Sequence, residues 1–190
     1  MHKDSFIRLA ILEDIPELAN IHKRSYSKEH LTSLLPLSDL EDYYAFFLEN
    51  GNEIILYEDQ NIMSFVLIVD YSSFDNTANP INNIGPRIRV IVKSPFRSMK
   101  WIIQKILKRS QQKSNCPVRI LSLVTDVGQK GKGLGIQLVD ECEKMLKNKG
   151  VENIGCSIRK SNKASNSLFV KRGYEIEYEA SNTYHYVKGL

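Results

Sequence analysis

Three glycines stand at alternate positions just before a segment with the apolar periodicity of a helix. The stretch over 129–146 reads QKGKGLGIQLVDECEKML. Its glycines are Gly131, Gly133 and Gly135. Bare backbone lets a ligand approach closely, and the first N–H groups of a helix, with its dipole, favour an anion. Because Lys130 and Lys132 add positive charge, the pattern predicts a phosphate-binding loop at a helix start.

The spacing of these glycines distinguishes between the known kinds of phosphate loop. A Walker A loop needs GxxxxGK followed by Ser or Thr, and the sequence has none. The dinucleotide fingerprint GxGxxG also fails, because its third glycine would fall at Ile136 or Leu138. A single glycine would be explained by a tight strand-to-helix turn, but three at alternate positions indicate close approach of a ligand.

A second motif follows after room for one helix and one strand. Residues 159–174 read RKSNKASNSLFVKRGY. Together the two stretches resemble the acetyl-CoA-binding motif and the Asn-x-x-small-x-x-Leu-Tyr-x-x-x-Gly-Phe signature of the GNAT superfamily of N-acetyltransferases. The positions that match the second signature in register are Asn162, Ser165, Leu168, Phe169, Gly173 and Tyr174. The opening IRLAILEDIPELANIH and the ending TYHYVKGL also resemble the family, whereas 71–116 has no counterpart.

The elements that position these motifs are predicted from apolar periodicity and turn residues. Strands are predicted at 5–10, 53–57, 62–70, 87–92, 117–125, 151–158, 174–179 and 183–188. Helices are predicted at 13–24, 31–35, 38–49 and 95–112, from the glycine loop to Gly150, and at 162–171. The resemblance implies an α/β fold, a mixed twisted sheet of six to seven strands flanked by helices, with a basic helical insert at about 87–113. The length suggests a single domain over 1–190.

By resemblance, the chain binds acetyl-CoA as its co-substrate and needs no metal. The strands at 117–125 and 151–158 are expected to splay apart around the pantetheine arm, which pairs with backbone groups as an added strand would. The residues implied to contact acetyl-CoA are Leu123, Val124, Thr125, Lys130, Gly131, Lys132, Gly133, Leu134, Gly135, Ile136, Asn162 and Phe169. Among these, Lys130 departs from the Gln or Arg that is usual in the family.

The reaction implied is transfer of the acetyl group from acetyl-CoA to a primary amine. Many members protonate the leaving thiolate with a Tyr, where this chain has Phe169, and some use a Glu base, where it has Ser157. Neither familiar acid nor base is present at these positions. Three accounts stay open: the CoA thiolate leaves unaided, a base acts from elsewhere through water, or the protein binds acetyl-CoA without turnover.

Two side chains are candidates for catalysis. Asp126 ends the predicted central strand, where the alternative role for a carboxylate is to cap the turn. Tyr71 follows the strand at 62–70, close to where members of the family bind acceptors, and a solvated loop is its alternative.

Histidine and cysteine add no metal site to this picture. His22 has polar neighbours and is predicted to lie on the surface. On the last strand, Tyr184 and Tyr186 share a face opposite His185, which indicates a buried tyrosine pair. The histidines are scattered, and the three cysteines show no CxxC spacing. We therefore expect reduced thiols, no metal and a cytoplasmic location.

Charge is distributed unevenly along the chain. Between Asn76 and Thr125 there is no Asp or Glu but there are ten Lys or Arg residues, whereas the remainder carries 16 basic and 22 acidic side chains. The basic residues of this stretch are Arg87, Arg89, Lys93, Arg97, Lys100, Lys105, Lys108, Arg109, Lys113 and Arg119. A local field of this sign attracts anions.

The acceptor is predicted to be a small-molecule amine, such as an amino sugar or a nucleotide-sugar amine. The segment HKRSYSKEHLTSLLPLSDLEDYYAFFLENG loosely resembles one in acetyltransferases encoded among surface-polysaccharide genes, and the basic stretch suits an acidic acceptor. A protein N-acetyltransferase and an acetyl-CoA-binding module of weak activity are the alternatives. The oligomeric state stays open.

The basic segment at 93–113 also allows a peripheral contact with anionic membrane, because Phe96, Met99 and Trp101 accompany its cations. A helix that packs on the core with a solvated basic face is the simpler alternative. Nucleic-acid binding is not expected, since interleaved aromatic platforms are lacking. No apolar run reaches 18 residues and the N-terminus has no signal-like apolar region.

Overall fold

The computed structural model describes residues 6–26, 31–72 and 114–190. The predicted basic insert at 87–113, with its strand, its helix and the proposed membrane contact at 93–113, lies outside the described residues. Within the described ranges, no helix combines the length and the apolar character that crossing a bilayer requires.

The described residues form seven strands and four α-helices. The strands are β1 (Phe6–Leu9), β2 (Glu53–Asp59), β3 (Asn61–Asp70), β4 (Val118–Thr125), β5 (Asn153–Arg159), β6 (Glu175–Ala180) and β7 (Thr183–Gly189). The helices are α1 (Ile15–Ser25), α2 (Leu37–Glu49), α3 (Leu134–Asn148) and α4 (Lys163–Lys171). Short 3-10 turns occupy Leu12–Asp14, Leu31–Leu34 and Val127–Gln129, so the helix predicted at 31–35 is a 3-10 turn.

The seven strands form one sheet in the order β1-β2-β3-β4-β5-β7-β6. Every neighbouring pair is antiparallel except β4 and β5, which are parallel because α3 crosses between them. The predicted mixed α/β sheet flanked by helices is thus confirmed.

Alternating side chains of the central strands divide the core into two layers. On β3, Phe65, Leu67 and Val69 pack with α1 and α2, on what we call the α1–α2 face of the sheet. Val66 and Ile68 point the other way and pack with α3, on the α3–α4 face. This alternation explains why β3 reads as a nearly continuous apolar run.

An irregularity in β4 coincides with the point where β4 and β5 separate. Ile120 pairs with Ile68 and Ser122 pairs with Leu67 on β3, so Leu121 is an extra residue, a β-bulge. On its other side, β4 pairs with β5 only at Arg119↔Gly155 and Ile120↔Cys156. Beyond these pairs the two strands part, as the family resemblance implied, and an open edge of β4 is left facing β5.

Candidate functional site

The glycine loop joins the end of β4 to the start of α3. Gly133 is the N-terminal cap of α3 with φ 79°, and Gly131 has φ 81°. This left-handed backbone strains any residue that carries a Cβ. A Cβ built at either position would meet no atom within 4 Å. The loop therefore presents bare backbone to open space, and its left-handed conformation explains why glycine stands at these two positions.

Backbone N–H groups at the start of α3 are available to a ligand. The Gly133 carbonyl accepts hydrogen bonds from Ile136 N and Gln137 N, at 3.0 and 3.2 Å. The amides of Gly133, Leu134 and Gly135 donate no hydrogen bond within the part of the chain that the structure describes. Free amides at the positive end of a 15-residue helix suit the pyrophosphate of acetyl-CoA.

Gly135 has a different role from the other two glycines. Its position is helical, and a Cβ there would lie 3.6 Å from Leu123 Cδ2 and 3.6 Å from Leu168 Cδ1. At these distances a methyl group would make ordinary van der Waals contact with β4 and α4, so packing does not demand glycine at this position. The sequence interpretation, which assigned all three glycines to ligand approach, is refined accordingly: Gly131 and Gly133 shape the loop, whereas Gly135 is an ordinary helical residue in the first turn of α3.

The open edge of β4 presents two residues toward the gap. Asp126 N donates to Met63 O at 2.8 Å, so Asp126 and, two residues earlier, Val124 direct their backbone groups toward β3. By the same alternation, the N–H and C=O groups of Leu123 and Thr125 point toward the side from which β5 has parted. This geometry fits the predicted pairing with a pantetheine arm.

The second motif builds the far wall of the gap. Asn162 caps α4, since its Oδ1 accepts from Ser165 N at 3.1 Å. Phe169 is only 2% exposed and packs edge-to-face on Tyr174, with ring centroids 4.8 Å apart. Both residues thus have clear structural roles, and their contacts with acetyl-CoA stay predictions.

The two lysines of the loop make local contacts at the surface. Lys130 Nζ donates to Ser25 O at 3.2 Å, and Lys132 Nζ donates to Gln129 Oε1 at 2.7 Å. Lys130 is thus bonded to the end of α1, and Lys132 to the turn that precedes the loop. Ile136, which follows in the first turn, is exposed.

Asp126 is held by an ion pair with α1. Arg24 Nε donates to Oδ1 at 2.7 Å and Arg24 Nη2 donates to Oδ2 at 3.0 Å. Val127 N also donates to Oδ1 at 2.8 Å, which is the turn-capping role named as its alternative. The guanidinium lowers the pKa of the Asp126 carboxyl. A carboxylate so held takes up a proton less readily than a free one, which weakens the case for Asp126 as a general base.

Tyr71 and His22 both lie in the interior. Tyr71 is 8% exposed and packs in the core cluster that contains Tyr43, so the solvated-loop interpretation is wrong. The surface prediction for His22 is also wrong: its Nδ1 lies 2.5 Å from Tyr44 Oη and its Nε2 lies 2.7 Å from Thr32 Oγ1. Polar neighbours in sequence misled because the partners of His22 come from other elements.

A serine and a histidine meet at the closed end of the gap between β4 and β5, which we call the head of the gap. Sequence reasoning did not foresee this pair. Ser157 on β5 pairs with His185 on β7, and Ser157 Oγ lies 2.9 Å from His185 Nδ1. His185 is 2% exposed and its ring stacks on Tyr178, with centroids 4.0 Å apart. The alternation of β7 gave the face of His185, but only strand pairing identified its partner.

A buried arginine adjoins this pair. Arg119 Nη2 donates to Cys156 O at 2.8 Å and lies 3.4 Å from Ser157 Oγ. Its Nη1 donates to Ser114 Oγ and lies 3.6 Å from a carboxylate oxygen of Glu177. Arg119, counted among the ten basic residues between Asn76 and Thr125, is therefore buried and joins strands inside the protein.

The thiols and acidic groups of the described residues form no metal centre. Cys116, Cys142 and Cys156 are free and buried, and burial raises the pKa of each thiol. Over 6–26, 31–72 and 114–190, no three His, Cys, Asp or Glu side chains are grouped so as to hold a metal ion.

Comparison with solved structures agrees with this fold. The chain is similar to an N-acetyltransferase from Staphylococcus aureus Mu50, with a TM-score of 0.63, 15% identity and coverage of 98% of this chain and 99% of that one. It is equally similar to PaiA N-acetyltransferase from Thermoplasma acidophilum in complex with coenzyme A, with a TM-score of 0.64, 15% identity and coverage of 98% and 99%.

A third similar structure is YncA from Salmonella typhimurium with its cofactor acetyl-CoA, with a TM-score of 0.62, 13% identity and coverage of 99% of this chain and 95% of that one. At such identities the likeness establishes the fold alone. No curated protein sequence matches the chain. The model of the Acetyltransferase (GNAT) family, however, matches residues 15–174, from the start of α1 to Tyr174. That match takes in the glycine loop, the parted strands and the second motif, and the chain belongs to the GNAT family of acetyltransferases.

Proposed function

We propose that this protein transfers the acetyl group of acetyl-CoA to the primary amine of a small molecule, and that the acceptor is an amino sugar or a nucleotide-sugar amine. The observation that carries the proposal is the glycine loop: left-handed glycines and free amides at the start of α3 open beside the unpaired edge of β4. Acetyl-CoA is the acetyl donor in this family.

The proposed acetyl-CoA site follows the matched motifs. The free amides of Gly133, Leu134 and Gly135 bind the pyrophosphate, with Lys130 and Lys132 adding charge at the loop. The open edge of β4 from Leu123 to Thr125 pairs with the pantetheine arm. The thioester then lies near the bulge at Leu121, where the gap between β4 and β5 closes.

The proposed acceptor approaches from the side opposite the glycine loop. β3 ends at Asp70, which pairs with Val118 at the start of β4, whereas Thr125 and the loop lie at the other end of β4. The chain between these strand ends contains the stretch that is rich in Lys and Arg and free of acidic residues. The composition of this stretch supports an acceptor that carries negative charge, such as a sugar nucleotide.

The second candidate is a module that binds acetyl-CoA with little or no turnover. Two observations favour it: Phe169 has no proton to give, and Ser157 replaces the carboxylate that some relatives use. Transfer to a protein amine is the third candidate. All three share the acetyl-CoA site and differ only in what happens to the acetyl group.

Two measurements separate these functions. Thermal melting with acetyl-CoA at about 100 times Kd should stabilise the protein by roughly 2.7 kcal/mol, which for a domain of this size is about 5–10 °C. CoA release is then followed with UDP-linked amino sugars, the free amino sugars and peptide amines. Release with the nucleotide sugar supports the proposal, and release with the peptide alone contradicts it. A melting shift without release from any amine favours the module, and no shift refutes the acetyl-CoA site.

A further inference from the structure

We propose that Ser157 and His185 form the proton-accepting pair of the acetyl transfer: Ser157 contacts the acceptor amine, and His185 takes the proton through the serine hydroxyl. This inference rests on the proposed function, because it names the base of that same reaction. His185, on β7, would then supply the base that the side chain of Ser157 on β5 does not provide by itself.

Ser157 lies where the pairing between β4 and β5 ends. Cys156 is the last residue of β5 that pairs with β4, so Ser157 is the first residue of β5 beyond the ladder. It lies beside the β4 bulge at Leu121, where the gap between the strands closes. Ser157 is exposed, and an acceptor that reaches the head of the gap meets its hydroxyl.

His185 is buried, and its neighbours hold the ring in place. The ring is 2% exposed, stacked on Tyr178, and joined to Ser157 at 2.9 Å. With Nδ1 as the acceptor, Ser157 Oγ–H points at the imidazole and an oxygen lone pair is left for the incoming amine. A fixed ring that orients a hydroxyl in this way is the arrangement by which a base activates an oxygen or nitrogen acid.

Charged and titratable groups around the pair come from β4 and β6. Arg119 Nη2 lies 3.4 Å from Ser157 Oγ and stabilises negative charge that develops on that oxygen. Glu177 lies 3.6 Å from Arg119 Nη1, so the guanidinium is itself partly neutralised. Tyr178 covers one face of the imidazole. Arg119, Glu177 and Tyr178 thus contribute to the electrostatics of His185.

The proton leaves the acceptor through the serine hydroxyl and is held by the histidine. The acceptor ammonium gives one proton to Ser157 Oγ while the serine proton passes to His185 Nδ1, which leaves a neutral amine and an imidazolium. The amine nitrogen bonds to the thioester carbonyl carbon, and the C–S bond breaks. The second nitrogen proton goes to the departing CoA sulfur. The imidazolium returns its proton through Ser157 to solvent, so the products are the amide, CoA-SH and one released proton.

The test uses His185→Asn, because the asparagine amide keeps a hydrogen-bonding group near Nδ1 but cannot take up a proton. We expect kcat for the acetylated amine to fall about 10²-fold, while the melting shift with acetyl-CoA stays that of the wild type. We also expect the acid limb of the wild-type pH–rate profile to disappear. Wild-type kcat and an unchanged pH profile in His185→Asn would overturn the proposal, because a purely structural histidine predicts both.

A second variant tests the route through the serine. Ser157→Glu places a carboxylate directly at the head of the gap, so it should restore turnover in the His185→Asn background by about 10-fold or more. Ser157→Ala should lower kcat to a similar extent as His185→Asn. The double variant that combines Ser157→Ala with His185→Asn should have a kcat no lower than that of either single variant. Additive losses in the double variant would show that the two side chains act independently and contradict the relay.

A readout that needs no acceptor separates this inference from the proposed function. The imidazole nitrogen resonances of His185, assigned by their loss in His185→Asn, are followed by NMR with acetyl-CoA bound. Titration between about pH 5 and 8, with Nδ1 as the unprotonated nitrogen at high pH, supports the proposal. A ring that keeps one protonation state over that range refutes it, whichever amine the protein acetylates. Failure of the proposed function would instead appear as wild-type protein that releases no CoA.

Discussion

A Cβ atom at Gly155 would lie 2.7 Å from Nη1 of Arg119, closer than real Cβ contacts allow. The same Cβ would lie 3.0 Å from the Tyr186 carbonyl oxygen. The arginine side chain crosses β5 at this glycine to reach Ser114 and Glu177. Gly155 thus leaves the space in which Arg119 of β4 reaches two groups: Ser114, just before β4, and Glu177 on the edge strand β6.

Gly155→Ala should lower the free energy of unfolding by roughly 1–3 kcal/mol, because the methyl group displaces a buried guanidinium that is already hydrogen-bonded. Urea unfolding measures the change. Gly189→Ala is the matched control on neighbouring β7, since a Cβ there comes no closer than 3.9 Å to another group. Equal stability of the two variants would mean that Arg119 moves aside without cost.

Gly133→Ala should weaken acetyl-CoA binding at least about 10-fold, or roughly 1.4 kcal/mol. The methyl group stands among the free amides, and the left-handed φ of 79° strains the loop. The melting shift with acetyl-CoA reports the loss. Gly150→Ala, at the opposite end of α3 with φ 76° and equally open surroundings, carries the same strain and should keep the full shift. A full shift in Gly133→Ala would place the pyrophosphate elsewhere.

Asp126→Asn should change stability slightly and leave kcat close to the wild-type value. The Arg24–Asp126 pair is partly exposed, with side-chain accessibilities of 44% and 23%, so about 0.2–1 kcal/mol is expected. Because the pKa of Asp126 is lowered in the fold, this stabilisation is present above the unfolded-state pKa. It is lost as pH falls through the folded-state pKa.

Urea unfolding of wild type and Asp126→Asn at pH 7 and at about pH 2 checks this sign, because the difference should vanish only at the acidic pH. Glu17→Gln, which removes the other carboxylate bonded to Arg24, serves as the control for loss of an exposed partner. A fall in kcat of about 10² or more in Asp126→Asn would instead make Asp126 the general base.

The three cysteine thiols should react slowly with a thiol reagent such as DTNB in the native protein. Each is buried, and burial raises its pKa, so the reactive thiolate is scarce and inaccessible. At pH 8 we expect no fast phase in the native protein and release equivalent to three thiols in guanidinium chloride. A fast thiol in native protein would show that one of the buried segments opens locally.

The sequence by itself determined the elements and the cofactor motifs, because both depend on residues that are close together along the chain. Apolar periodicity placed each described α-helix and strand to within a few residues. The φ of Gly131 and Gly133 and the cap at Asn162 are local backbone properties, and residue type specifies them directly.

Only the tertiary structure decided which polar side chains meet, because the partners are distant in sequence. Asp126 meets Arg24, His22 meets Tyr44, and Ser157 meets His185. No local pattern specifies such a contact. For Ser157 and His185 it depends on strand order and register, because a shift of one residue would turn either side chain to the other face of the sheet. Arg119 is likewise buried on the α1–α2 face because Gly155, 36 residues later in the chain, has no side chain to occupy the space that the guanidinium fills.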